Sequence, residues 1–223
     1  MSNRNYLVII LLLTACGKEN KKSSVNQGIQ RLPYFISADF SPHWFNSTEE
    51  LIGKHKIPPF SLVNQNGDTI NNKSFEDKIY VADFFFTVCP GICPKLTKNM
   101  ASIQARYEND PEILLLSHTV MPWHDSVSIL KEYALNNAVI DQKWNLVTGD
   151  QKAIYDLARK GYFADEDFVK TKEEKDFIHT ENFILVDGQG HIRGVYNGTI
   201  ALDVKRLFRH IEILKKEGKI EQD

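Results

Sequence analysis

Residues 79–94 constrain the fold more than any other stretch. Residues 79–86 are almost wholly apolar and aromatic, with Asp83 as the one polar interruption, which is the pattern of a strand covered on both faces. The next segment reads Cys89-Pro90-Gly91-Ile92-Cys93-Pro94, and beyond Pro94 the apolar Leu96, Met100, Ile103 and Tyr107 recur at helical spacing until Asn109-Asp110-Pro111. A buried strand therefore runs into a helix through a loop that carries two thiols.

Around this unit the remaining elements fall into order. Residues 60–63 and 68–70 flank Asn66-Gly67, a hairpin signal because both turn positions tolerate positive φ. Residues 112–117 form a second buried strand. A helix follows over about 126–136, with Asp125 as its expected N-cap. Residues 144–148 make a further strand, and Asp150 caps a helix carrying Ala153, Ile154, Leu157 and Ala158; these two elements read as an insertion. Strands at 182–186 and 192–196 are separated by Asp187-Gly188-Gln189-Gly190, and Val204, Leu207, Phe208, Ile211 and Leu214 mark a last amphipathic helix. A βαβα unit followed by ββα implies an α/β thioredoxin-like fold with an N-terminal β-hairpin extension and an inserted strand-helix segment.

At 223 residues and 42% hydrophobic composition, the chain can bury one core with extra elements. A formal net charge of −2 argues against a nucleic-acid partner. The start of the chain is an address. Arg4 precedes an apolar run over residues 6–13, and Thr14-Ala15 puts small residues before Cys16. That run is too short to span a bilayer. Leu13-Thr14-Ala15-Cys16 resembles the bacterial lipobox, which implies lipidation of Cys16; ordinary cleavage with Cys16 incidental is the alternative. Residues 1–16 are thus read as a lipoprotein-type signal peptide, 17–31 as a flexible tether and 32–223 as the folded domain. The expected location is the cell envelope, on a membrane and facing away from the cytoplasm. With Cys16 set aside, thiol chemistry in the domain belongs to Cys89 and Cys93.

Each of these cysteines precedes a proline, which disfavours the α conformation, so both are expected in a loop outside regular helix. Pro94 suits the first helical position. This puts Cys93 at the N-cap, where the helix dipole favours thiolate, both a nucleophile and a soft metal ligand. A structural disulfide has no need of paired prolines at such a junction. A peroxiredoxin is disfavoured too, because its usual threonine sits three residues before the cysteine and Thr87 sits two before. Spacing alone leaves metal binding and disulfide chemistry both open.

Thioredoxin-like redox enzymes usually place a proline before their penultimate strand, but the last proline here is Pro122. Phe177-Ile178-His179-Thr180-Glu181-Asn182 stands at that place, and the topology directs His179 toward Cys89 and Cys93. Two thiolates and an imidazole suit copper, Cu(I) through the sulfurs and Cu(II) with help from the nitrogen.

The cysteine-proline pairs after an aromatic strand, with His179 before a late strand, resemble the Sco/SenC family. Similarity runs from about Ile57 to the last helix and includes Asn66-Gly67 and Asp187-Gly188-Gln189-Gly190. The resemblance implies that Cys89, Cys93 and His179 bind copper and that the protein helps assemble the Cu-A centre of cytochrome c oxidase. Its expected partner is the oxidase subunit bearing that site, or another exported copper protein. Some family members are thought to act as thiol-disulfide reductases, the alternative role here, with Cys89 and Cys93 as the catalytic pair. Departures are Gly91 and Ile92, where the family commonly has an acid, and residues 117–126, which replace an Asp-Pro-x-x-Asp-Thr stretch. Met121 is a soft donor and His118 follows a strand ending at the same edge, but His118, Met121 and His124 are read as ordinary loop residues, and His191 as an exposed turn residue.

Overall fold

The computed structural model describes residues 31–45, 47–165, 178 and 180–220. Among them are nine strands: β1 (Tyr34–Phe35), β2 (Pro42–His43), β3 (Ser61–Asn64), β4 (Thr69–Asn71), β5 (Ile79–Phe85), β6 (Ile113–Thr119), β7 (Trp144–Thr148), β8 (Asn182–Val186) and β9 (Ile192–Asn197). They form one sheet in the order β2-β1-β9-β8-β5-β6-β7-β3-β4. The α-helices are α1 (Cys93–Arg106), α2 (Val127–Asn136), α3 (Gln151–Asp156), which continues into a π turn over Leu157–Gly161, and α4 (Ala201–Ile220). No helix among the described residues is long and apolar enough to cross a membrane.

β5 is central. It pairs in parallel with β6 over its whole length and antiparallel with β8, where Ala82 stands opposite Ile184. Alternation along β5 feeds two cores: Val81 and Phe85 face the side covered by α1, α2 and α4, while Tyr80, Ala82 and Phe84 face the side covered by α3 and the π turn. The first core takes Leu96, Met100 and Ile103 from α1, Leu130 from α2, and Leu207 and Ile211 from α4, all fully buried. Each such side chain contributes about 2 kcal/mol of hydrophobic stabilisation.

The turns obey local rules. In the β3–β4 hairpin Gly67 adopts φ +85°, and the Asn64 side chain accepts from the main-chain N–H groups of Asn66 and Asp68. Asp150 caps α3, accepting from Ala153 N–H at 2.8 Å. β7, read with the following helix as an inserted segment, joins the sheet, parallel to β6 on one side and antiparallel to β3 on the other. One expectation changes. Asp125 does not cap α2; Ser126 does, accepting from Ile129 N–H.

Gly188, in the β8–β9 turn, passes against the β5 approach: a Cβ there would meet the Asp77 backbone at 2.8 and 2.9 Å. Backbone cannot retreat as a side-chain tip can. Gly188→Ala is therefore expected to cost about 2 kcal/mol, read as a lower urea midpoint with an unchanged slope.

Behind this turn Arg193, buried, draws together the segment leading into β1 and the last helix, α4. It donates to Asp187 at 3.1 Å, to Glu217 of α4 at 2.6 Å and to the carbonyls of Leu32 and Pro33, and it lies 3.9 Å over the Tyr34 ring. His191 is buried beside it, donating from Nδ1 to the His55 carbonyl at 2.8 Å, with Tyr34 packed edge-on against its ring. The expected exposed turn histidine is thus covered by the segment preceding β3.

Candidate functional site

The cysteine loop leaves the C-terminal end of β5. Cys89 N–H donates to the Phe86 carbonyl at 3.3 Å, and Ile92 caps α1, its carbonyl accepting from Lys95 and Leu96. Cys93 is the first residue of the helix and Pro94 the second, so only Cys89 lies in the loop. The steric bias that proline imposes on its predecessor is overcome here, and an N–H missing in the first turn has no intrahelical acceptor to lose.

Both thiols are free. Cys93 is only 4% exposed and packs into the core with Leu96 and Phe85, whereas Cys89 is half-buried at the rim. Burial alone would raise Cys89, but a hydrogen bond from the Cys93 thiol and main-chain N–H groups of Cys93, Gly91 and Ile92 outweigh it and bring its pKa down. For Cys93, burial comes first, and the Cys89 sulfur and the Asp83 carboxyl add to it, pushing its pKa up. The expectation that the helix N-terminus favours thiolate at Cys93 is therefore corrected: the N–H groups of that terminus serve Cys89. Cys89 ionises first, and Cys93 keeps its proton and donates it as a hydrogen bond.

Sequence reasoning noted Asp83 only as an interruption. It is fully buried in β5, accepts from the Ser117 hydroxyl, and burial raises its pKa to about 7. Ser117 in turn accepts from Trp144 Nε1–H at 2.8 Å. The signal was present, since an acid amid six apolar residues of one strand has no solvent to face.

His179 and Cys16 lie outside the described residues. β8 begins at Asn182, opposite Asn197 of β9, at the sheet edge where β5 ends, and Ile178 is buried in the second core. His118 is a strand residue of β6, fully buried between Phe84, at 4.8 Å, and Tyr162, at 5.2 Å. Its Nδ1 points to the Asp83 carbonyl at 3.3 Å, and burial lowers its pKa to about 4, so it is neutral. It is no loop residue. Met121 and His124 do lie in the β6–α2 loop, closed by His124 N–H to the Met121 carbonyl at 2.9 Å. In the same loop Asp125 is fully buried.

The family model described as SCO1/SenC matches residues 48–214. The SCO1 protein homolog of Bacillus subtilis (strain 168) is 32% identical over 147 residues, which cover 65% of this chain and 75% of that relative. A SCO1/SenC family lipoprotein from Bacillus anthracis str. Ames superposes with a TM-score of 0.63 at 26% identity, over 72% of this chain and 95% of the other. Arabidopsis thaliana ScoI, solved with copper bound, superposes with a TM-score of 0.50 at 25% identity, over 74% and 98% of the two chains. These structures share the thioredoxin-like arrangement described above.

Proposed function

Since the chain belongs to the SCO1/SenC family, we propose that it is an exported, membrane-tethered metallochaperone that takes copper as cargo and passes it to the Cu-A site of a cytochrome c oxidase subunit. The observation that carries this reading is the thiol pair. One sulfur ionises ahead of the other, favoured by the hydrogen bond from its partner's thiol and by three main-chain N–H groups. Such a pair offers Cu(I) one ready thiolate and a second ligand that releases its proton as the metal arrives. His179 is proposed as the third ligand, supplying the nitrogen that Cu(II) needs. The copper-bound relative and the lipoprotein relative support the cargo and the envelope location in turn. Cys16 is the proposed lipidation site, and residues 17–31 the tether.

A second reading draws on the same asymmetry. As an oxidoreductase, the Cys89 thiolate would attack a disulfide in an exported protein, forming a mixed disulfide and releasing one target thiolate. Cys93, giving up its proton, would then attack the Cys89 sulfur, release the second target thiolate and leave a Cys89–Cys93 disulfide that a reductant must reset.

Anaerobic titration of the reduced full chain against a chromophoric Cu(I) chelator separates the two. The metallochaperone reading expects one Cu(I) per chain. It also expects His179→Ala to weaken copper binding on the order of a hundredfold, about 3 kcal/mol, with Cu(II) affected most. Unchanged affinity in that variant, together with rapid disulfide exchange, overturns it in favour of the oxidoreductase.

A further inference from the structure

The Asp125 carboxylate has no Lys or Arg against it among the contacts of the described residues, yet it is wholly buried. It is satisfied by four donors: the Thr87 N–H at 3.1 Å, the Thr87 hydroxyl, the Thr119 hydroxyl, and His124 Nδ1–H at 2.8 Å. Thr119 Oγ1 in turn accepts from Met121 N–H at 3.0 Å. Two of the four bonds reach across to Thr87, two residues before Cys89. A buried charge is retained at such a place only if its hydrogen bonds are complete, and a complete set fixes everything that contributes to it.

We infer that Asp125 is the positioning residue of the cysteine loop, holding Thr87 so that Cys89 stays over the N–H groups at the start of α1. The loop is then pinned at both ends, by Asp125 at Thr87 and by the first turn of α1 at Ile92, and Pro90-Gly91 spans the interval. A Cβ on Gly91 would meet nothing within 4 Å, so packing does not hold the loop at that position, and its placement depends on the two pins and on the Cys89 N–H bond to Phe86. Freed at Thr87, the strand-to-helix connection would swing, and the Cys89 sulfur would spend part of its time away from the Gly91, Ile92 and Cys93 amides. The inference rests on Cys89 and Cys93 being the working thiols, as proposed above.

The test uses the full chain with Cys16→Ser, so that only two thiols react, and follows iodoacetamide alkylation of Cys89 against pH. The midpoint of that profile reads thiolate stabilisation, and its plateau reads access. Thr87→Val keeps the side-chain shape and removes the hydroxyl bond. It is expected to move the midpoint upward so that alkylation at neutral pH slows about tenfold, while Thr87→Ser restores the parent profile. Asp125→Asn, which cannot accept from all four donors, is expected to move it in the same direction. Midpoints unchanged in Thr87→Val and Asp125→Asn, with only the denaturation midpoint lowered, would make Asp125 a purely structural buttress and overturn the inference. If Asp125→Asn does not fold, Thr87→Val against Thr87→Ser decides alone. Alkylation needs no copper, so a chain that binds no metal would sink the metallochaperone reading and leave this one standing.

Discussion

Cys89→Ser is expected to abolish tight Cu(I) binding, with affinity falling by at least about ten-thousandfold, or roughly 5.5 kcal/mol. A serine hydroxyl is a hard, neutral donor at any accessible pH, so the substitution removes the one sulfur that ionises readily. What remains is Cys93, buried in the core and held protonated by that burial. A lone buried thiol can neither shed its proton cheaply nor present itself to an incoming ion. Folding should survive, because Cys89 is half-exposed and its main-chain hydrogen bond to Phe86 does not involve the sulfur. Chelator competition on a variant with native circular dichroism is the measurement. Retention of wild-type affinity in Cys89→Ser would take Cys89 out of the proposed copper site.

Asp83→Asn is expected to stabilise the protein above neutral pH and to do little in acid. The carboxyl ordinarily ionises near 3.8, and burial pushes it up to about 7 in spite of the Ser117 hydrogen bond. Between those values the folded state holds a proton that the unfolded chain has released. Stability contributed by the protonated group is therefore complete below 3.8 and lost as pH rises through 7. Once both states are ionised, the buried charge costs up to about 4 kcal/mol. Asparagine keeps an oxygen for the Ser117 hydroxyl and carries no charge at any pH. Urea unfolding at about pH 8 should gain on the order of 2–4 kcal/mol in the variant, and the gain should shrink toward zero in acid. Parallel stability curves for the two proteins would show that Asp83 does not titrate with folding.

Local signals made much of this fold readable in advance. The apolar strand of β5, the Asn66-Gly67 hairpin and the Asp150 cap each depend on a few neighbours, so sequence pattern suffices for them. Asp125 was misread for the opposite reason. An acid just before a helix serves equally as a cap or as the centre of a buried network, and Thr87, 38 residues earlier, decides which. His191 sits in a polar turn and looks exposed until Tyr34 and His55, far off in the chain, close over it. At the site itself the pair of thiols was legible. Their order of ionisation was not, because it hinges on which sulfur the amides of the first helical turn face and on which one is buried.

The Arg193 clasp sets a direction for the whole molecule. Leu32, just before β1, is tied to Glu217 and Arg193 at the foot of β5, while Cys89 stands at its head, seven strand residues or about 20 Å away. A leash fastened upstream of Leu32 would hold the molecule by its heel. The thiols would then be carried at the far pole, turned outward from whatever surface the leash is moored to, and would meet partners that reach down toward that surface sooner than ones lying flat upon it.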